Sequence, residues 1–486
     1  MISIRWSGTA FWLLVAVLFA AQAAYTFVGL DRLLYEEIAE GIRNPFWLDH
    51  RLIYDGVSSN VGWYGLVLIV YKAFGFSAHA AKHLRLALHV VFLVSTALLL
   101  TRALGLRRAW LPLLAAGLSP TMLYFNNLGT SYGIDVELFA PILLLIVTTG
   151  DRAREGSSSL ALRQYAIGVL AMVACLSYPA FLVYVPILLA VYLWITRAAG
   201  VAQMLKGLVW IAVGFLTPFA AAMAWLHNAH TWLADSSVGG AGVFRGGGSG
   251  WTLNPVDVSR AGASVMKDLF MTGNTYYFPL PQVEFSGLLG VAAAWGILVG
   301  ALVVGSNWTP ARVPLALAGA LCLLSLTLPS LATNLAGLRR STGIIAGLYV
   351  MVACVWASPV PAGLRAAAVW AAKLACLLLV FHHLLVFAPN VRHVSRETQT
   401  VNDPWFNRFG TPDESIRTWA HDWVLQGRPL VCPASTRCRS SEIYAAVEGY
   451  MRWNGLVERP MLMTDDDSGG VNELDIRASQ TGMVRR

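Results

Sequence analysis

Long stretches without a carboxylate set the first limit on this fold. None of the segments Thr9–Leu30, His83–Leu100, Leu208–Leu226, Phe285–Val304 and Ala366–Phe387 contains Asp or Glu. A helix of about 20 apolar residues crosses a hydrocarbon core of roughly 30 Å, whereas irregular backbone exposed to lipid cannot. Of the 486 residues, 56% are hydrophobic and only 13% charged, too few charges to coat a soluble protein of this size. The chain is therefore expected to be an all-α polytopic membrane protein. Its net charge of +8 calls for no nucleic acid, because Lys and Arg gather in short loops, where they orient membrane proteins.

Alternating the runs across the bilayer gives about eleven spans. They are Thr9–Leu30, His83–Leu100, Trp110–Phe125, Ile134–Thr148, Tyr165–Leu176, Phe181–Ile195, Leu208–Leu226, Phe285–Val304, Val313–Leu331, Ile344–Trp356 and Ala366–Phe387. Residues 1–24 have the look of a secretory signal, but the first run is long enough to stay as a span. Gly62–Phe76 is too short to cross, and counting it would put Arg102, Arg107 and Arg108 outside. It is expected to be interfacial or re-entrant. The N-terminus then lies in the cytoplasm and the C-terminus outside. Residues 1–388 form the membrane domain, with outer loops at 31–82 and 227–283, the second holding the tract GGAGVFRGGGSG around Arg245. Residues 389–486 read as a small extracytoplasmic α/β domain with a mobile tail. Its helices run from Thr411 to about Leu425 and from Ser441 to Trp453, with strands RPLVC and PMLMT. Cys432 and Cys438 could close a disulfide there, whereas Cys175, Cys322, Cys354 and Cys376 sit in apolar spans.

The first outer loop is where the acids are. Asp31, Glu36, Glu37, Glu40, Asp49 and Asp55 fall within it, and the spacing of Leu34, Ile38 and Ile42 predicts an amphipathic helix over Asp31–Arg43 lying along the membrane. No acid falls deep inside a span, which argues against ion-coupled transporters and pumps.

The run Asp31-x-x-x-Tyr35-x-Glu37-Ile38, then GWYGLVLIVYKAFGF, Arg85 and LSPTMLYFNNLGTSYGIDVELF, resembles the GT-C glycosyltransferases. The nearest pattern is the branch of lipid A aminoarabinose transferase and protein O-mannosyltransferase. The likeness thins after about residue 200 and is weak in the C-terminal region. It implies transfer of a sugar from a polyprenyl-phosphate donor to a lipid, glycan or protein acceptor at the extracytoplasmic face, in a bacterial inner membrane. It also maps the family's first-loop carboxylate onto Asp31, as general base, and its second-loop carboxylate onto Asp135. Arg32 stands where the family often has a second acid, and the late first-loop lysine of the aminoarabinose branch is missing from YDGVSSNVGWYG.

Other candidates follow from the chemistry. A lipid phosphate leaving group calls for cations near the outer headgroups, and Lys82, Arg85, Arg339 and Arg340 are placed to supply them, with Lys72 a further choice. Tyr54, Trp63 and Tyr64 could stack on sugar or isoprenoid, or anchor at the interface. Glu37 and Asp55 are further substrate-binding candidates. Glu36 and Glu40 read as a solvated helix face, and His227, His230, His382 and His383 as interfacial. No cofactor is required. Asp49, His50 and Asp55 leave a divalent cation as an option, although no ligand spacing defines a metal site. Two rival readings stay open: a ligase or polymerase of lipid-linked glycans, and a glycolipid flippase without chemistry.

Overall fold

In a computed structural model, the described residues are 8–28, 39–49, 60–127, 129–155, 160–226, 255–270, 284–327, 342–363, 365–396, and 414, 416–418, 420–421, 450–451 and 453–454 of the C-terminal region. Among the described residues the regular structure is helical and no strand occurs. The expected strands RPLVC and PMLMT, and both Cys432 and Cys438, lie outside the described residues.

The helices are α1 Gly8–Val28, α2 Asn44–Asp49, α3 Val61–Phe74, α4 Ala80–Leu104, α5 Leu106–Gly117, α6 Pro120–Asn127, α7 Ile134–Glu155, α8 Leu160–Ser177, α9 Val185–Thr196, α10 Val201–Leu226, α11 Pro255–Phe270, α12 Glu284–Asn307, α13 Thr309–Thr327, α14 Gly343–Ala357 and α15 Arg365–Arg396. Short 3-10 turns, Pro179–Val183 and Arg197–Ala199, flank α9. Among the described residues, eight helical segments are long and apolar enough to cross a membrane. The expected eleven spans differ from these for local reasons. The run Trp110–Phe125 is divided between α5 and α6, because Pro120 disfavours helical backbone at Ser119. Helix α7 has charges at both ends, and α14 has only 15 residues. Helix α3, with 14 residues, is a separate short element, as its length implied.

Residues 31–38 of the amphipathic helix expected over Asp31–Arg43 lie outside the described residues. The described part of that stretch, Ala39–Arg43, is a π-helical turn with Ile42 fully buried, followed directly by α2. Gly41 sits where an added Cβ would stand 3.1 Å from the Ala81 Cβ, and Pro45 starts a new helix at its second position. Two contacts fix this piece: Tyr71 Oη donates to the Gly41 carbonyl (2.6 Å), and Trp225 Nε1 donates to the Leu48 carbonyl (2.8 Å).

Polarity is arranged for a lipid solvent. Trp295, Val299 and Leu302 of α12 and Leu374 and Phe381 of α15 are exposed, while the charged side chains of α4 and α7 near their N-termini are buried. Glycines bring helix backbones together. An added Cβ on Gly168 of α8 would stand 2.6 Å from the Phe215 nitrogen of α10, and one on Gly214 of α10 would stand 2.9 Å from the Tyr165 carbonyl carbon. Gly62 of α3 packs on the end of α8 in the same way, 2.7 Å from the Ser177 nitrogen.

Charge divides the two ends of the bundle. Arg102 and Arg108 lie where α4 meets α5, Arg163 at the start of α8, Arg197 after α9, Lys206 early in α10, Arg312 in α13 and Arg365 at the start of α15. Arg108 donates to the Ala357 carbonyl (2.9 Å) and Lys373 to the Ser358 carbonyl (2.8 Å), so α5, α14 and α15 meet at that end. The starts of α4, α7 and α14 and the ends of α8 and α13 are at the other. There too the C-terminal region docks: Trp453 packs on Tyr71 (4.8 Å between ring centroids), Tyr450 on Phe76 (5.6 Å), and Lys72 Nζ lies 5.1 Å from the Trp453 ring.

Candidate functional site

Helix α7 begins on a glycine made for the turn. Gly133 has φ 77°, a left-handed conformation costly for any side chain, and its carbonyl accepts from the Val136 and Glu137 nitrogens. Asp135 and Glu137 therefore fall in the first turn, at the positive end of the helix dipole. Two residues apart on a helix, they face different neighbours.

Glu137 faces α4. Its carboxylate lies 3.1 Å from Arg85 Nη1 and 3.5 Å from His89 Nδ1, with both ion-pair side chains shut off from solvent. Arg85 and His89 are one turn apart and so share a face. Asn126 of α6 joins them, its Oδ1 accepting from Arg85 Nη2 (2.7 Å) and its Nδ2 lying 2.5 Å from His89 Nδ1. The Tyr132 carbonyl also accepts from Arg85 Nη2 (2.9 Å), and the Trp63 ring lies 5.9 Å from the guanidinium. A charge buried this deeply persists only when paired and hydrogen-bonded. Arg85 is held by this chain's own groups on both of its terminal nitrogens.

Asp135 faces the other way. Its Oδ2 accepts from Tyr184 Oη (3.2 Å), at the start of α9, and from Thr342 Oγ1, just before α14. Glu40 closes the cluster from the first loop: its Oε2 accepts from the Ser131 nitrogen (2.8 Å), while Asn60 Nδ2 donates to Ser131 Oγ (2.9 Å). Glu40, Asp135 and Glu137 all act on the charge of Arg85. Several buried polar atoms here have no hydrogen-bond partner among the described residues: Asp135 Oδ1, Arg85 Nε, His89 Nε2, Trp63 Nε1 and Thr130 Oγ1. Such a set of donors and acceptors suits a hydroxyl-rich ligand or water. Among the described residues no three His, Cys, Asp or Glu side chains are grouped to hold a metal ion.

Of the residues singled out in the sequence, Asp135, Arg85, Lys82 and Tyr64 are all buried at this end of the bundle. Asp31, Glu37, Tyr54, Asp55, Arg339 and Arg340 lie outside the described residues, as do His50 and Arg245. Asp49 is paired with Lys72 at 2.6 Å, away from the buried cluster. Glu40 is not on a solvated face: only 9% exposed, it is turned inward by the π-helical turn. His382 and His383, near the end of the last apolar run, are enclosed by protein. Both are buried within α15 against Phe270 and Tyr349 (ring centroids 5.4 and 6.4 Å). Glu137, His89, Asn126, Tyr184 and Thr342 were missed. For His89 and Glu137 the signal was present, as polar residues set in apolar helices near Arg85 and Asp135. For Tyr184 and Thr342 there was none.

One solved structure carries a similar arrangement of helices. ArnT from Cupriavidus metallidurans, bound to undecaprenyl phosphate, superposes with a TM-score of 0.54 at 14% identity, over 98% of this chain and 89% of that one. This chain therefore shares the fold of that structure. The protein O-mannosyltransferase complex Pmt1-Pmt2 of S. cerevisiae, bound to its sugar donor, is also matched, at 16% identity and a TM-score of 0.33 over 49% of this chain and 35% of that one. No family model matches the sequence, and no curated protein matches it significantly. The likeness to this ArnT structure thus rests on shape. It extends through the C-terminal half, where the resemblance in sequence had faded.

Proposed function

We propose that this protein is an inverting glycosyltransferase that uses a polyprenyl-phosphate sugar at the extracytoplasmic face of a bacterial inner membrane. The acceptor is a lipid, glycan or protein. One observation carries the reading: Glu40, Lys82, Arg85, Asp135 and Glu137 are buried together within an ArnT-like fold, at the end of the bundle away from its arginine-rich loops. Positive loops mark the cytoplasmic side, so the cluster belongs to the outer one. The N-terminus is then cytoplasmic and the C-terminal domain outside.

In the reaction, an acceptor hydroxyl attacks the anomeric carbon as the bond from that carbon to the phosphate oxygen breaks. Asp31, as general base, takes the hydroxyl proton, and the lipid phosphate leaves with the bonding electrons. Asp135 supplies a second carboxylate from the second outer loop. Lys82, Arg339 and Arg340 offset the charge developing on the phosphate, while Arg85 keeps the cluster's geometry. Glu37, Tyr54, Asp55 and Tyr64 contact the sugar or the carrier. No cofactor is required.

The test is transfer by the purified full-length protein in detergent, supplied with lipid extract from the native membrane and followed by mass spectrometry. Asp31→Asn should abolish transfer while undecaprenyl phosphate still binds. A fully active Asp31→Asn protein would remove Asp31 from the base role. A lipid-pyrophosphate glycan as donor would favour a ligase or polymerase instead, and translocation without any sugar transfer would favour a flippase.

A further inference from the structure

Asp135 is held by one oxygen and left free at the other. Its Oδ2 accepts from Tyr184 Oη and Thr342 Oγ1, which reach it from two different helix starts, and the Val136 backbone N–H lies beside the carboxylate. Its Oδ1 is buried without a hydrogen-bond partner among the described residues. Ser325 lies beside Tyr184, its Oγ and the phenol oxygen both facing Gly343. All four side chains are buried, Asp135, Ser325 and Thr342 at 0% exposure and Tyr184 at 1%. Gly343 completes the enclosure: a Cβ there would meet Ser325 Oγ and Tyr184 Oη and stand 2.7 Å from Tyr184 Cε1. Three helix ends, those of α7, α9 and α14, are thereby joined through one carboxylate, with Ser325 of α13 packed beside them.

We propose that Tyr184 and Thr342 are positioning residues for glycosyl transfer: together they clamp Oδ2 of Asp135 and aim Oδ1 at a hydroxyl of the bound sugar. Neither touches substrate. A carboxylate accepting two hydroxyl donors on one oxygen cannot rotate without breaking both, so the free oxygen keeps a fixed direction. Thr342 also opens α14, which makes the clamp sensitive to where that helix begins.

This inference rests on the reading of Asp135 as a site carboxylate, and its test separates the two. Full-length Thr342→Val, Thr342→Ser, Tyr184→Phe and Asp135→Asn are expressed in a strain lacking the gene, with native donor and acceptor, and the transferred sugar is quantified by mass spectrometry. Thr342→Val and Tyr184→Phe should each lower transfer roughly 10- to 100-fold at unchanged folded yield. Thr342→Ser, which keeps the hydroxyl, should transfer like the native protein. In the purified protein, the infrared carboxylate stretch of Asp135, isolated by difference from Asp135→Asn, should shift in Thr342→Val and Tyr184→Phe. The clamp is overturned if Asp135→Asn abolishes transfer while those two variants work normally with an unshifted band. If Asp135→Asn itself transfers normally, the placement of Asp135 in the site fails, and the clamp fails with it. Should Thr342→Val not fold, the comparison of Tyr184→Phe with Thr342→Ser decides alone.

Discussion

Arg85 has no exposed surface, yet its charge is answered within 3.1 Å by Glu137. Such a pair adds little net stability over apolar residues of the same shape, but removing one partner strands the other in a medium that cannot solvate it. Glu137→Gln is accordingly expected to cost about 3–5 kcal/mol in thermal or denaturant unfolding in detergent, with Arg85→Gln costing a similar amount. The double variant Arg85→Met with Glu137→Leu should cost clearly less than the sum of the two single changes. Glu40 is a different case, since its oxygen satisfies the Ser131 amide at 2.8 Å. Glu40→Ala leaves that buried donor unmet, for a cost of about 1–3 kcal/mol. The individual chemical types were legible in the sequence, but their pairings were not. Glu40 lies 91 positions from Ser131, and Thr342 lies 207 from Asp135. No local pattern encodes a partner at that distance.

At the scale of elements, the apolar runs specified the long helices well, and their ends less well. Hydropathy averages over a window and passes across Ser119, where Pro120 divides the expected third span into α5 and α6. Helix α11 was not foreseen, because it lies within a loop read for its glycines; its buried Val265 and Phe270 show an amphipathic face. Helix contacts follow small residues more than hydropathy. Gly168 and Gly214 let α8 and α10 meet backbone to backbone, and a methyl group on either has nowhere to go. Gly168→Ala and Gly214→Ala are each expected to lower stability by about 1–3 kcal/mol, with the loss seen in thermal unfolding of the detergent-solubilised protein. Gly319, beside which nothing lies within 4 Å, is the control: Gly319→Ala should be neutral or slightly stabilising.

For the molecule as a whole, the C-terminal region is tied to the loop after α1 through a short aromatic stack. Tyr450 and Trp453 lie on Phe76 and Tyr71, and Tyr71 in turn holds the Gly41 carbonyl. Trp453→Ala should loosen the C-terminal region, read as faster cleavage beyond residue 390 by limited proteolysis of the intact protein, with the membrane helices unaffected. If the proposed function is right, undecaprenyl phosphate should protect the membrane domain from unfolding, by about 2.7 kcal/mol at a hundredfold excess over its dissociation constant. The sequence by itself determined that this chain lives in a membrane as a helical bundle, because a lipid solvent admits few other backbones and the apolar runs are unmistakable. Its order of acids and aromatics also pointed to the GT-C fold. Only the tertiary structure decided which polar groups are buried and what each one holds. That choice depends on which helix ends converge, and convergence is fixed by close packing among segments far apart in the chain.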